Sequence, residues 1–422
     1  MAGIPYVPLN YRLSKEQLLP LFDRISPAYL ITGKRDDNYD FEDWIVEESN
    51  DFLHKCLEAE HSDYFKDVDP NEVAVQLFTS GTTGTPKAAL LRHEHLVSYI
   101  LGSVEFMGAM EEEAALVSVP PYHIAGISAV MSNIYACRQV VQLPNFNASE
   151  WLKLCQDHSV TSAFLVPTML TRIIEELNEN QTLESLQSIA YGGGKMPVPV
   201  IQKALSRFPD VSFTNAYGLT ETSSTITLLG PDDHRDAHNS DNESVKARLG
   251  SVGKALPSVE IEIRDEEGKP LEANEPGEIY VRGPQVSGEY EGRSVLDNEG
   301  WFPTRDAGYL DNEGYLFLSG RADDVIVRGG ENMSPGEIED LLHEHPAIKD
   351  AAAVGIPSEE WGETVGLAVV LNSGHEVSDD AICSLIRDHL RSSRVPEIVR
   401  FVDELPYNET GKLLRRVIKE WF

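Results

Sequence analysis

The stretch LFTSGTTGTPKAAL (residues 77–90) sets an apolar run ending at Thr79 against a cluster of small polar residues. Ser80, Gly81, Thr82, Thr83 and Gly84 come first, then Thr85, Pro86 and Lys87. The preceding EVAVQLF (72–78) reads as a strand, and EHLVSYILGSV beyond the loop reads as a helix. Glycines and hydroxyl residues at a strand end expose backbone N–H and O–H donors, a setting that cradles phosphate oxygens, and Lys87 adds a charge. The stretch is not a Walker A loop, because Lys87 follows Pro86 and precedes Ala88, with no Gly-Lys-Ser/Thr. Read alone, a flexible surface turn is the competing interpretation.

Outward from this loop, strand-like and helix-like runs alternate. AYLIT (28–32), ALVSVP (115–120), QVVQLP (139–144), SAFLVP (162–167) and SIAYGGG (188–194) read as strands. SEWLKLCQDH, TMLTRIIEEL and VIQKALSRF read as the helices between them. Such alternation predicts a mostly parallel, helix-covered α/β sheet. After about Arg248 the texture changes to β-branched alternation with turn residues, including two DNEG turns at 297–300 and 311–314. This predicts an antiparallel β-rich subdomain over about 248–320. From Arg321 an α+β pattern resumes. Ser334, Pro335 and Glu337 read as a capping box with Pro at the first helical position, and Ile338, Leu341 and Leu342 mark a buried face. The expected organisation is a large N-terminal domain over 1–320 and a small C-terminal domain over 321–422.

The bulk numbers fit a multi-domain globular chain: 422 residues, 41% hydrophobic. The net charge of −34 disfavours nucleic-acid and anionic-membrane partners, so an anionic ligand needs a local positive pocket. Cys56, Cys137, Cys155 and Cys383 lie far apart with no CxxC, which fits reduced thiols and a cytoplasmic location. No apolar run approaches membrane-spanning length, and no signal peptide is visible. The pairs His93/His95 and His343/His345 lack a third ligand in any metal-binding spacing and read as surface residues.

Four motifs occur in order: TSGTTGTPK (79–87), AYGLTET (216–222), GYLDNEGYLFLSGRADDVIVRGGENMSPGEIE (308–339) and NETGKLLRR (408–416). Together they resemble the adenylate-forming superfamily of acyl-CoA synthetases, adenylation domains and luciferases, over nearly the whole chain. The resemblance implies a two-step reaction: a carboxylate attacks the α-phosphate of ATP to give an acyl adenylate and pyrophosphate, then a thiol, usually that of coenzyme A, displaces AMP. It further implies that the C-terminal domain is mobile and rotates between the steps. ATP, Mg²⁺ and coenzyme A are the implied cofactors. Two anions must meet, so cations and positioning dominate the catalysis.

By the same resemblance, Thr79, Ser80, Gly81, Thr82, Thr83, Gly84 and Lys87 close on the β- and γ-phosphates. Tyr217 in Tyr217-Gly218 stacks on adenine, Thr220 touches phosphate, and Glu221 holds Mg²⁺. Gly193, Gly194 and Lys195 belong to a wall between adenine and the acyl pocket. Asp306 bonds the ribose hydroxyls and Arg321 contacts ribose or phosphate. Lys412 is the catalytic lysine of the mobile domain, Asp323 the hinge, and Gly329-Gly330 line the pantetheine tunnel. His123 stands between acyl pocket and thiol tunnel, with Val166, Met169 and residues 126–128 as acyl-pocket candidates. Arg328, Arg415 and Arg416 are either contacts for coenzyme A phosphates or, by default, a solvated basic face.

Three departures stand out. Arg305 occupies a position where the family commonly has Gly. Gly288-Glu289-Tyr290 alters the usual Gly-Tyr spacing. An α/β unit that usually precedes GIPYVPLNYRL is expected to be missing. The leading expectation is ligation of an apolar acyl or aryl acid to coenzyme A. Transfer to a carrier-protein thiol and a catalytically silent nucleotide-binding paralogue are the alternatives. A homodimer is left open.

Overall fold

A computed structural model describes residues 3–33, 43–59, 67–79, 86–178, 181–321, 324–328, 331–408 and 413–422. Within it, the apolar runs of the middle of the chain build one seven-stranded sheet. Its order is Lys254–Ala255, Ser224–Leu229, Ser212–Leu219, Ser188–Gly192, Ser162–Leu165, Ala114–Val117, Gln139–Gln142. The last five of these run parallel, and the first two add antiparallel at one edge. Ala114–Val117 is buried on both faces, as a central parallel strand must be. Helices Ala148–Asp157, Pro167–Glu176 and Val198–Arg207 pack Trp151, Leu170, Ile173 and Ile201 onto Leu165, Ile189 and Phe213. Each such fully buried side chain contributes about 1.5–3 kcal/mol. Asn147 caps the first of these helices by accepting from Glu150 N, and Pro167 opens the second at a position that needs no donor.

The strand before the quoted loop does not enter this sheet. Val73–Thr79 pairs antiparallel with Lys87–Arg92, so the loop closes a hairpin rather than leading straight into a helix. That second strand was not anticipated: Lys-Ala-Ala-Leu-Leu-Arg favours helix locally, and pairing with a neighbour overrides it. The helix follows at His93–Ser103. Glu289–Tyr290 and Arg293–Ser294 extend the hairpin to four strands.

A second antiparallel sheet orders Glu260–Arg264, Gly277–Arg282, Phe302–Leu310 and Leu316–Arg321. Both DNEG turns form as read: the Asp297 carboxylate accepts from Glu299 N and Trp301 N, and Asp311 from Glu313 N and Tyr315 N. Gly300 and Gly314 take φ of 83°. Arg305 has φ of 63° at a bulge between Phe302–Leu310 and its neighbour, a backbone state that favours Gly.

The C-terminal part forms a smaller unit. Ile348–Ser358 and Gly362–Leu371 pair along ten registers, flanked by Ile326–Arg328, Glu331–Met333 and, in parallel, Ile398–Phe401. Alternation sends Ala351, Ala353, Leu367 and Val369 to one face, against Ile338, Leu342, Ile382 and Ile386. Ala352, Val354, Ala368 and Val370 face the other way, against Leu405 and Ile418. Ser334 caps helix Pro335–His343 by accepting from Gly336 N, but Glu337 does not close a box: it accepts from Arg394 Nε at 2.9 Å. The chain is thus an α/β protein with a large N-terminal region and a small C-terminal one. No helix among the described residues is long and apolar enough to cross a membrane.

Candidate active site

Strand Ser212–Leu219 ends at the parallel sheet's carboxyl edge and turns through a single 3₁₀ turn, Thr220–Thr222. Gly218 lies so close to strand Ser224–Leu229 that a Cβ would sit 1.8 Å from Ser224 O. Gly192, one strand over, has the same relation to Ala216 O at 2.1 Å. Gly193 then turns with φ of 79°. These glycines let the strand ends approach closely and leave a backbone-lined edge.

Tyr217 projects from this strand and donates its hydroxyl to Asp306 Oδ2 at 2.6 Å. Arg321 Nη1 donates to Asp306 Oδ1 at 3.1 Å. Asp306 and Arg321 are register partners on adjacent strands of the second sheet. Residues from two separated motifs therefore meet at one carboxylate that lies just ahead of the second. Burial, and then Asp306, hold the Tyr217 phenol well above its ordinary pKa, so it remains a donor. Asp306 accepts from both donors, and hydroxyl groups are natural donors to such a carboxylate. Arg305 does not crowd this carboxylate: its side chain is 61% exposed and its Nε lies 3.8 Å from Glu278 Oε1.

Glu221 is buried in the 3₁₀ turn, and Tyr290 donates its hydroxyl to Glu221 Oε1. Lys87 Nζ stands 5.7 Å above the Tyr290 ring, at the exit of the quoted loop, and Thr79 faces Lys87 across the hairpin. Thr220 opens the same turn. Helix Ile124–Tyr135 reaches the region through Ser224 Oγ, which donates to Ser128 Oγ at 3.0 Å. His123 is the residue preceding that helix, its ring 4.7 Å from that of Tyr122. Lys195 leaves the glycine turn and pairs with Asp340 of the C-terminal region at 2.7 Å.

Ser80, Gly81, Thr82, Thr83, Gly84, Asp323, Gly329, Gly330 and Lys412 lie outside the described residues. The flanks of Lys412 are defined: Tyr407 bridges Leu413, and Leu414 N donates to Pro406 O at 2.8 Å. Met169 and Val166 belong to the buried core under the parallel sheet, with Val166 Cγ1 also 3.5 Å from a Cβ built on Gly193.

Several readings need correction. Arg415 is not on a solvated basic face: it donates to both oxygens of buried Glu339, to Ala353 O at 2.7 Å, and lies 3.5 Å from Asp324. Arg328 donates to Ser393 O and Val395 O. His95 and His343 are half-buried rather than surface residues: His95 Nδ1 accepts from Arg92 N, and His343 Nε2 lies 3.2 Å from Asp350 Oδ1. Tyr290 is the residue that sequence reasoning missed. Its signal was the altered Gly-Glu-Tyr spacing, which gave no hint of a partner 69 positions away.

The glycine-lined strand edge, the Tyr217–Asp306–Arg321 cluster and the buried Glu221 gather around the end of strand Ser212–Leu219. Residues 1–291 match the AMP-binding enzyme family, and residues 337–412 match the AMP-binding enzyme C-terminal domain. A 2-succinylbenzoate–CoA ligase of Bacillus cereus is 33% identical over 422 residues, covering 99% of this chain and 83% of that protein. The o-succinylbenzoate CoA synthetase of Bacillus subtilis, solved with its acyl-adenylate intermediate, superposes with a TM-score of 0.81 at 30% identity, over 98% of this chain and 82% of the other. The same synthetase has been solved with ATP and magnesium ion. ATP-bound MatB from Rhodopseudomonas palustris gives a TM-score of 0.87 at 27% identity, over 99% and 83% of the two chains. The chain belongs to the AMP-binding enzyme family, as an AMP-forming carboxylic acid–CoA ligase.

Proposed function

We propose that the chain activates an apolar aryl carboxylic acid as its acyl adenylate and passes the acyl group to coenzyme A. The observation that carries this reading is the convergence of Tyr217 and Arg321 on Asp306, beside a buried Glu221. In the first step a carboxylate oxygen bonds to the α-phosphorus and the bond to pyrophosphate breaks. In the second, the thiol sulfur bonds to the acyl carbon and AMP leaves.

The hydrogen bond to Asp306 anchors the tip of the Tyr217 side chain, whose ring presents a face for adenine. Asp306 accepts the ribose hydroxyls, while Arg321 holds that carboxylate in place and brings positive charge to an acidic protein. Thr220 and the 79–87 loop supply hydroxyl and N–H donors to phosphate oxygens. Glu221 is the carboxylate that would hold Mg²⁺; bound there, the cation supplies charge neutralisation for the phosphates. Lys87 and Lys412 contribute ammonium groups from the loop and the C-terminal region, and the glycine turn at Gly193-Gly194 keeps side chains away from the acyl group. His123 separates the acyl pocket from the thiol's path. Relatives that act on 2-succinylbenzoate support an aryl acid carrying an apolar ring.

The test is incubation with ATP, Mg²⁺, coenzyme A and a panel of aryl and alkyl acids, with products weighed by mass spectrometry. The reading expects acyl-CoA and AMP, with succinylbenzoate-like aryl acids preferred. Preference for straight-chain alkyl acids would overturn the aryl assignment, and transfer only to a carrier-protein thiol would overturn the acceptor.

A further inference from the structure

Residues 285–291 wrap the Glu221 turn from outside. Ser287 N and Gly288 N both donate to the Glu221 carbonyl oxygen, at 2.8 and 3.2 Å. Gln285 Nε2 donates to Thr222 O at 3.0 Å and Thr225 O at 2.7 Å. Gly288 adopts φ of 49°, and a Cβ there would meet Leu296 Cδ2 at 2.4 Å, so a side chain at this bend would be strained and would displace Leu296. The backbone it encloses is itself unusual: Ser223 and Ser224 have φ of 55° and 107°, a strained geometry that persists only where surrounding structure enforces it.

The strap is anchored to the phosphate-loop hairpin. Glu289 accepts two bonds from Arg92, at 2.8 and 2.7 Å. Glu291 N donates to Ala88 O at 2.9 Å, and its carboxylate accepts from Arg24, which also donates to Pro86 O at 2.7 Å. Strand alternation puts Glu289 and Glu291 on one face and Tyr290 on the other. There Tyr290 donates to Glu221 Oε1 beneath the Lys87 ammonium.

We propose that Tyr290 is a positioning residue whose hydroxyl sets the orientation of the Glu221 carboxylate for the divalent cation. The proposal rests on the reading of Glu221 as the cation's carboxylate. One oxygen is fixed by a phenol that the Arg92 and Arg24 clasps hold in register with the loop. The carboxylate then cannot rotate freely, and the cation meets it preorganised.

The experiment measures Mn²⁺ affinity by electron paramagnetic resonance in the presence of ATP, and ATP affinity in EDTA by calorimetry. Tyr290→Phe keeps the ring and its place under Lys87 and removes only the hydroxyl. It is expected to weaken Mn²⁺ binding about ten- to a hundredfold, the scale of one hydrogen bond to a charged group, and to leave metal-free ATP binding unchanged. Tyr290→Leu, a second variant, is expected to weaken Mn²⁺ binding at least as much. Unchanged Mn²⁺ affinity in both folded variants, with Glu221→Gln weakening it, would overturn the role of Tyr290 alone. Unchanged affinity in Glu221→Gln would overturn the reading of Glu221, and the proposal with it. Equal loss of ATP binding with and without metal would show a general structural role and would also overturn the proposal.

Discussion

Lys195 Nζ lies 2.7 Å from Asp340 Oδ2, joining the glycine turn of the large N-terminal region to helix Pro335–His343 of the small C-terminal one. Beside it, Ser334 donates its hydroxyl to Ser319 O. The paired side chains are 43% and 56% exposed, so the pair is worth at most about 1 kcal/mol. Any reorientation of the C-terminal region must break it. Asp340→Ala should therefore leave the denaturation midpoint nearly unchanged. It should speed any turnover limited by that movement, by about fivefold at most. Stopped-flow comparison of the two half-reactions, at low and high salt, checks this; the salt dependence should fall in the variant.

Asp306→Asn removes the charge on which Tyr217 and Arg321 converge. Loss of a hydrogen bond to a charged group costs about 1.5–3 kcal/mol, so ATP affinity should drop about ten- to a hundredfold. Calorimetric titration with ATP measures it. Arg321→Lys should recover only part of the wild-type affinity when compared with Arg321→Ala, because an ammonium does not reproduce the guanidinium's planar donor set.

Arg415→Ala leaves Glu339 buried without its main partner, and breaking such a pair costs about 3–5 kcal/mol. The variant should lose that much stability in urea denaturation, in the transition that reports the C-terminal sheet. Normal stability with weakened coenzyme A binding would instead place Arg415 at the phosphates.

His234 is buried, with Nε2 2.8 Å from the Tyr191 hydroxyl and Nδ1 2.7 Å from Gly230 O. The carbonyl partner requires Nδ1 to carry the proton, leaving Nε2 to accept from Tyr191. Burial lowers its pKa below the ordinary 6.5. The unfolded chain thus takes up a proton as pH falls past 6.5, while the folded chain still resists it. Stability is full above that value and declines below it, by up to about 1.4 kcal/mol per pH unit for this group. Urea midpoints at several pH values should show the decline, and His234→Asn should flatten it. His95, whose pKa is lowered in the same direction by burial, leaves a residual slope.

Periodicity revealed the parallel sheet because its strands and helices carry their own burial patterns: Ala114–Val117 is uniformly apolar, and Pro167–Glu176 repeats at helical spacing. Lys87–Arg92 was hidden because its residues favour helix and its strand state comes only from pairing with Val73–Thr79. Family resemblance assigned Tyr217, Asp306 and Arg321 one by one to parts of a nucleotide, but their hydrogen bonds to one another join residues 89 and 15 positions apart, which no local pattern reports. Arg415 looked solvated because Leu-Leu-Arg-Arg carries no trace of Glu339, 76 residues earlier. Tyr290 sits on a strand of only two residues, too short for alternation to register.

Acid-dependent formation of AMP tests the central claim most directly. Purified protein is given ATP, Mg²⁺, coenzyme A and an aryl acid, and the nucleotide and thioester products are quantified together. The account predicts AMP, pyrophosphate and aryl-CoA in equal amounts, all lost without the acid. Formation of ADP and phosphate, or no acid-dependent AMP from folded protein across the aryl panel, would contradict it.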